Sequence, residues 1–421
     1  MRRSLGKIKR HKKIYSRSLL GLDPLRVIII IAAAVLLFSV GWALYTPVYN
    51  LITGNGSEPA QPEQVEAIPS EQPSEPEPSP ETPPAAEVLQ EAPHIRGAYL
   101  PYSIVFKEDA FSAALDDLKA KGFTHVLVDM KTEQGMLLYR SMSQVAVSSQ
   151  LIVANPLDAQ KTASLIREKG LVPMAKMYAF RDPIASINNL EMAVHYQNTE
   201  WAWLDDSQQN GGKSWLNPYS ADARDYISTL CVEVASLGFD GIVLYGVQFP
   251  QGYALDLCGY GDEAASKTKS QVLQEFTSKL RSDLEKVNTK LYVYAEGTHL
   301  LNSETTHLGE DRWAHLNNGA AVNAMPASFG TSFDIVEGNT TTRMETPVIA
   351  PKKTVQTVAS MVNPHLSPTA DHLFILQAYT SLDFSGVYFL EYTQTEIDDQ
   401  ISGLNAAGAE DYILYNPQGK Y

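Results

Sequence analysis

Short apolar runs alternate with longer amphipathic stretches from residue 95 to the end of the chain. The apolar runs predict eight β-strands, at residues 96–100, 125–130, 172–178, 241–245, 291–295, 320–325, 373–379 and 412–415. Between several of them, apolar residues recur at the spacing of a helix with one buried face, at residues 111–118, 159–166, 227–234, 272–284 and 397–404. Ser220 and the Asn155-Pro156 pair are candidate N-caps, and glycines stand where four helices are expected to end: Gly122, Gly170, Gly238 and Gly408.

This alternation of strands and helices predicts a parallel α/β fold for residues 95–421. Eight strand–helix repeats in about 330 residues fit a (β/α)8 TIM barrel, which usually has ~200 to more than 400 residues. An open, doubly wound sheet is the alternative, because periodicity alone does not reveal whether a sheet closes.

The first 94 residues have a different organisation. Residues 1–26 form a basic head with nine Lys and Arg residues against one Asp, and residues 27–45 are almost uniformly apolar. A run of about 19 apolar residues approaches the ~20 that cross a bilayer as a helix, whereas the apolar core of a cleaved signal peptide has about 7–15. We therefore predict one uncleaved transmembrane helix, with the basic N-terminus in the cytoplasm and the rest of the chain outside the cell membrane.

Residues 46–94 are rich in Pro and Glu and predict a disordered extracytoplasmic linker. The formal net charge of the chain is -15, and the acidic excess lies in residues 95–421. An acidic domain repels phosphates, so nucleic acid is excluded as a partner and neutral or cationic ligands are favoured. The chain has only two cysteines, Cys231 and Cys258, and the helical position of Cys231 favours free thiols over a disulfide.

Functional groups of a TIM barrel lie at the carboxyl ends of its strands. At those ends, three carboxylates are candidate catalytic residues, Asp129, Glu133 and Glu296. The candidate substrate-binding residues are polar or aromatic side chains at the same ends and in the long connection after the third strand: Lys131, Tyr178, Trp215, Asn217, Tyr245, Gln248, Asn323, Gln377 and Tyr379. Three histidines, His299, His307 and His315, recur at a spacing that fits no single helical face, so no metal site or cofactor is predicted.

Several stretches resemble a bacterial family of glycoside hydrolases that are TIM barrels distantly related to the α-amylases. They include Val-Asp-Met-Lys-Thr-Glu-Gln-Gly at 128–135, Trp-Leu-Asn-Pro-Tyr-Ser at 215–220 and Tyr-Ile-Leu-Tyr-Asn-Pro at 412–417. The family's fourth strand typically ends Phe-Asp-Tyr-Val-Arg-Phe-Pro, whereas residues 244–250 here read Leu-Tyr-Gly-Val-Gln-Phe-Pro. Tyr245 and Gln248 thus replace an acidic and a basic residue. The resemblance implies a barrel that acts on a polysaccharide or cell-wall glycan.

Glycoside hydrolysis usually needs two carboxyl groups, one to protonate the leaving oxygen and one to act as nucleophile or as base for water. Tyr245 supplies no carboxylate. The sequence therefore predicts Glu296 as the general acid and Asp129 or Glu133 as the second carboxylate, with Asp383 as a further possibility. The alternative function is a catalytically inactive barrel that binds carbohydrate or a cell-wall partner.

Overall fold

Residues 94–421 of the computed structural model form a closed ring of eight parallel strands. The strands are β1 (Arg96–Leu100), β2 (His125–Asp129), β3 (Val172–Tyr178), β4 (Gly241–Tyr245), β5 (Lys290–Glu296), β6 (Ala320–Asn323), β7 (His372–Gln377) and β8 (Tyr412–Tyr415). They are arranged around the ring in sequence order, and β1 pairs with both β2 and β8. The predicted TIM barrel is confirmed in these residues, and the open sheet was wrong. The predicted transmembrane helix and linker lie outside the described residues.

Six longer helices follow the strands: α1 (Glu108–Ala120), α2 (Ala159–Glu168), α3 (Ala221–Ser236), α4 (Lys269–Glu285), α5 (Pro351–Val362) and α6 (Gln394–Ala406). Shorter ones span Tyr102–Val105, Gln144–Ser148, Pro183–Asn188 and Gly297–Leu300. Ser220 caps α3 as predicted, but Asp158 caps α2, because Asn155 and Pro156 belong to a short strand, Ile152–Leu157. The glycines predicted to follow helices all have positive φ.

Two barrel strands end earlier than predicted because their last side chains bond to the backbone just beyond. Asn323 Oδ1 accepts a hydrogen bond from the Met325 amide at 2.9 Å, and Gln377 Nε2 donates one to the Tyr379 carbonyl at 2.9 Å. These local bonds compete with continued strand pairing. β6 and β7 therefore stop at Asn323 and Gln377, and β2 likewise stops one residue short of the prediction.

Side chains alternate between two cores along every barrel strand. One core fills the barrel interior and consists of Ile95, Tyr99, Leu127, Met174, Val243, Tyr245, Tyr292, Ala321, Leu373, Ile375 and Ile413. The other, larger core lies between the strands and the helices. The barrel interior is thus filled by side chains along its axis.

The connections after β2, β3, β4 and β6 carry extra structure at the carboxyl end of the barrel. Leu137–Tyr139 pairs in parallel with Ile152–Leu157, and His195–Tyr196 pairs antiparallel with Cys258–Gly259. Ser332–Glu337 and Thr340–Glu345 form a hairpin after β6. Cys231 and Cys258 are buried free thiols. Within residues 94–421, no helix is both long enough and apolar enough to cross a membrane.

His315 is fully buried in a short helical turn against α4. Neither of its ring nitrogens has a hydrogen-bond partner among the described residues. Burial lowers the pKa of His315 from 6.5 to about 4, because the charged imidazolium is poorly solvated there.

We expect His315 to destabilise the fold in mild acid. Between pH 6.5 and pH 4 the unfolded chain takes up a proton that the folded chain excludes, so the free energy of unfolding falls as the pH falls through this window. We compare the free energy of unfolding of His315→Leu with that of the wild-type chain by urea unfolding. The difference in favour of the variant should be about 2–3 kcal/mol larger at pH 4.5 than at pH 7. If the free energy of unfolding depended on pH in the same way for the two proteins, His315 would not be the group that destabilises the fold in acid.

Candidate functional site

Alternation along the strands brings a ring of polar and aromatic side chains to the barrel mouth. Nine of these side chains stand at interior-facing positions near the carboxyl ends of their strands: Tyr99, Asp129, Lys176, Tyr178, Tyr245, Tyr294, Glu296, Asn323 and Tyr415. Parallel strands place their carboxyl ends at one rim, so residues far apart in sequence meet there.

Glu296 ends β5 and is held by two short hydrogen bonds. Its Oε1 accepts from the Tyr294 hydroxyl at 2.6 Å, and its Oε2 accepts from Asn323 Nδ2 at 2.6 Å. Gly297 makes this approach of β5 to β6 possible, because a Cβ at that position would lie 2.4 Å from the Asn323 carbonyl oxygen. The carboxylate is therefore fixed in orientation at the mouth.

Tyr245 occupies the place where the family usually has an acidic residue. Its ring stacks on Tyr294 with centroids 3.8 Å apart and lies 5.2 Å from the ring of Tyr178. Burial, together with nearby tyrosines and carboxylates, holds the pKa of Tyr245 well above its usual value. The phenol therefore stays neutral and is a poor nucleophile, and the largely buried ring packs inside the mouth.

Asp129 is engaged with Lys176 inside the mouth. Its Oδ1 lies 3.3 Å from Lys176 Nζ, and its Oδ2 accepts from the Tyr99 hydroxyl at 2.6 Å. The Lys176 ammonium also lies 4.9–5.7 Å from the ring centroids of four tyrosines, Tyr99, Tyr178, Tyr245 and Tyr415. Both Asp129 oxygens thus have partners within the barrel.

A cleft of about 170 Å³ opens at the mouth beside Glu296. The structure brings six of the predicted site residues to its wall: Glu133, Tyr178, Trp215, Tyr245, Gln248 and Glu296. Arg181, Gln251, Tyr294 and His299 complete the polar and aromatic lining. Asp129 is not among the lining residues. Since small-molecule pockets usually measure about 300–1,000 Å³, this cleft encloses only a small part of a polymer.

Glu133 enters the cleft as an ion pair with Arg181. The Arg181 guanidinium also lies over the Trp215 ring, 5.6 Å from its centroid. Each candidate catalytic carboxylate therefore has a hydrogen-bond donor or a cation bound to it. These partners fix the orientation of each carboxylate at the mouth.

Three residues predicted to bind sugar are instead buried and internally bonded. Lys131 has no exposed side-chain surface, and its Nζ lies 2.7 Å from Asp182 Oδ2. Asn217 Nδ2 donates to the Tyr260 carbonyl at 3.0 Å. Gln377 is fully buried, and its Oε1 accepts from the Ala327 amide at 2.9 Å. These side chains stabilise the loops around the mouth and cannot contact a ligand in this arrangement.

The other predicted positions have mixed outcomes. Asn323 is buried and contacts Glu296, so it positions the carboxylate and is not exposed to a sugar. Tyr379 is half-buried and lines a separate groove with Tyr392 and Asn416. Asp383 is exposed, with Ser381 Oγ donating to its Oδ2 at 3.2 Å. Neither Tyr379 nor Asp383 reaches the cleft.

Two of the three histidines meet at the edge of the cleft. His299 Nδ1 and His307 Nε2 are 3.1 Å apart, and Gln251 Nε2 lies 2.9 Å from His307 Nδ1. Burial lowers the pKa of His307 to about 3 and also lowers that of His299. In residues 94–421, no group of three or more His, Cys, Asp or Glu side chains is arranged to hold a metal ion.

Comparison with protein families gives a match over residues 97–421 to a family described as "Putative glycosyl hydrolase domain". The chain belongs to this family. Tyr245 stands where the fourth-strand pattern quoted above has an acidic residue. The carboxylates in the wall of the cleft are Glu296, which ends β5, and Glu133, which follows β2.

Solved structures with a similar fold include glycoside hydrolases. The glycoside hydrolase domain of PgaB (BpsB) from Bordetella bronchiseptica is 14% identical, covers 78% of this chain and 95% of its own, and has a TM-score of 0.52. A hypothetical protein from Ruminiclostridium thermocellum is 21% identical over 47% of this chain and 96% of its own, with a TM-score of 0.41. The catalytic domain of a β-amylase from Paenibacillus polymyxa is 12% identical, covers 77% of this chain and 94% of its own, and has a TM-score of 0.46. A comparison with curated proteins gives no match.

Sequence reasoning missed Tyr294, His299 and Gln251 as members of the site. The alternation of β5 could have found Tyr294, because residues two apart on a strand share a face and Glu296 was already assigned to the mouth. His299 and Gln251 both lie beyond strand ends, the former in the short helix Gly297–Leu300 and the latter in an irregular segment, and no periodic signal marks them.

The buried pair of Lys131 and Asp182 gives a test of the loop framework. Lys131→Met would leave the Asp182 carboxylate buried without its cation, so we expect a loss of about 3–5 kcal/mol in the free energy of unfolding. The control is Lys161→Met, which breaks the exposed pair of Lys161 and Glu108 and should change stability little. Equal losses for the two variants in urea unfolding would contradict a buried role for Lys131.

Proposed function

We propose that residues 94–421 hydrolyse glycosidic bonds of a neutral or cationic polysaccharide in the cleft beside Glu296. The observation that carries this proposal is that one cleft collects two carboxylates, Glu296 and Glu133, together with the partly exposed rings of Tyr178 and Tyr294. Paired carboxyl groups are what most glycoside hydrolases use, and aromatic rings offer apolar faces to sugar rings. The acidic charge of the domain favours substrates without negative charge.

The hydrogen bonds of Glu296 support a revised role for this residue. The sequence assigned it as general acid, but both of its oxygens accept short hydrogen bonds. A carboxylate held in this way is suited to stabilise a developing oxocarbenium ion as nucleophile, or to activate water as base. Glu133 is then the group that protonates the leaving oxygen.

Arg181 has to separate from Glu133 for that step, because the guanidinium contacts the carboxyl group that must face the leaving oxygen. Arg181 is part-exposed and lies at the edge of the cleft, so an incoming cationic or hydroxyl-rich ligand can compete with it. Asp129, tied to Lys176 and Tyr99, has a supporting electrostatic role in the mouth.

A second candidate function is carbohydrate or cell-wall binding without hydrolysis. The specific observation in its favour is that all three carboxylates are bound by cations or hydrogen-bond donors of the protein itself, so each would have to give up a partner before acting on a glycosidic bond.

Glu296→Gln separates the two functions. The substitution keeps the shape of the side chain and one acceptor for Asn323, but it removes the negative charge that the reaction needs. We expect release of reducing ends from a soluble polysaccharide to fall by at least about 10³-fold, with retention of the polysaccharide by the full chain largely unchanged. The control is Glu304→Gln, an exposed glutamate outside the cleft, which should keep wild-type turnover.

The wild-type chain decides which function holds. Reducing ends released by the wild-type chain but not by Glu296→Gln support hydrolysis. Retention of polysaccharide by both proteins, with no release by either, would sink the hydrolase proposal and favour the binding function. Retention by neither would count against both.

We also propose that residues 27–45 anchor the chain in the cell membrane, with residues 1–26 in the cytoplasm and the barrel outside. The length of the apolar run and the basic residues before it support this topology. The Pro/Glu-rich residues 46–94 would then space the barrel from the bilayer.

Deletion of residues 27–45 should move the chain from the membrane fraction of carbonate-washed cells to the soluble fraction. A membrane-impermeant amine label on intact cells should react with the wild-type barrel. A wild-type chain that is already soluble would rule out the proposed anchor, and a barrel that is labelled only after lysis would rule out its placement outside the cell.

A further inference from the structure

An exposed apolar surface lies on the connections after β3 and β4. The side chains of Trp201 and Tyr253 are 78% and 73% exposed, and Leu255 and Leu257 are 41% and 46% exposed. We call the surface formed by these four residues the aromatic platform. Large apolar side chains grouped on a surface commonly mark an interaction site.

The backbone fixes Tyr253 in its outward position. The Tyr253 amide donates to the Asp205 carbonyl at 2.8 Å, and a Cβ on Gly252 would lie 2.3 Å from that oxygen. Gly252 has φ +133°, and Ala254 has φ 55°, a left-handed conformation that costs a non-glycine residue about 1–2 kcal/mol. Trp203 Nε1 holds the Ala254 carbonyl at 3.1 Å. The main chain that carries the exposed Tyr253 side chain is therefore held in place by surrounding contacts.

Trp201 belongs to a segment whose backbone is bonded to Leu257, at the far end of the segment that carries Tyr253. Its carbonyl accepts from the Tyr196 amide at 2.9 Å, and its own amide donates to Thr199 Oγ1 at 3.2 Å. Gln197, which follows Tyr196 in the sequence, donates its amide hydrogen to the Leu257 carbonyl at 2.9 Å. The two segments that carry the aromatic platform are thus joined by backbone hydrogen bonds.

Asp205 links the aromatic platform to the wall of the cleft by hydrogen bonds. Trp215, which lines the cleft, donates its Nε1–H to Asp205 Oδ2 at 3.1 Å, and the Asp205 carbonyl accepts from Tyr253. One residue therefore connects the aromatic wall of the cleft with the exposed aromatic side chains. The cleft, at about 170 Å³, leaves most of a polymer outside it.

We propose that Trp201 and Tyr253 bind sugar units of the polysaccharide that extend out of the cleft, so that the domain holds a chain of several units. This inference rests on the proposed function. The apolar faces of sugar rings stack on flat aromatic side chains, and the exposed carboxylates of Glu200, Asp206 and Asp256 flank the platform. Uncharged or amino sugars fit this surface, and acidic sugars are repelled.

The test compares short and long oligosaccharides with the full chain. Isothermal titration calorimetry would use β-1,4-linked dimers and hexamers of glucose, N-acetylglucosamine and glucosamine. We expect at least one hexamer to bind roughly tenfold or more tightly than its dimer. Trp201→Ala and Tyr253→Ala should remove most of this advantage and leave the dimer affinity unchanged. The matched control is Met142→Ala, because Met142 is 83% exposed but lies on the connection after β2.

The outcomes separate this inference from the proposed function. Equal binding of dimer and hexamer, or hexamer binding that is unaffected in both platform variants, would overturn the platform and leave the cleft proposal standing. Failure of every saccharide to bind would overturn both, and the exposed rings would then be assigned to contact with a protein. A loss of affinity in Met142→Ala as large as in Trp201→Ala would also overturn the assignment.

Discussion

Closure of the sheet is the constraint on which the site depends. β1 pairs with β8 as well as with β2, so each strand has two neighbours and the ring has no free edge. Once the ring is closed, every second side chain must point into the barrel, and the last inward-facing residue of each strand must lie at the mouth. Glu296, Tyr245 and Asp129 meet at one rim for this reason alone, although up to 167 residues separate them in the sequence.

The mouth is stabilised by aromatic rings and by charges that compensate one another. Lys176 is a cation in a largely buried position, and its charge is balanced by Asp129 and by the faces of four tyrosine rings. A buried charge without such partners would cost several kcal/mol. Lys176 and Asp129 therefore depend on each other, and this mutual dependence removes Asp129 from the set of groups that are free to act on a ligand.

The sequence predicted the barrel because its signals are periodic, and it predicted the site less well because the contacts there are not. All eight strands were located, since each combines an apolar run with a turn residue nearby. The hairpin after β6 was missed because its second strand, Thr340–Glu345, is almost wholly exposed and shows no alternation of apolar and polar residues. Helix α5 was missed although Val355, Val358 and Val362 recur at the spacing of a buried helical face. Lys131 and Gln377 were assigned to sugar binding from their positions at strand ends. Their burial depends on Asp182 and on the Ala327 amide, partners that only the folded chain brings near.

The replacement of the fourth-strand acid by Tyr245 has a consistent electrostatic explanation. In the family pattern, an acidic residue at this position is followed three residues later by an arginine, and here both are absent together, as Tyr245 and Gln248. Loss of the acid alone would leave an uncompensated cation at the mouth, where Lys176 already lies 5.0 Å from the Tyr245 ring. Loss of both keeps the local charge balanced and leaves an aromatic side chain, in place of an ion pair, at the end of β4. The change removes one carboxylate, but it adds a neutral ring that stacks on Tyr294 and so supports the hydroxyl that holds Glu296.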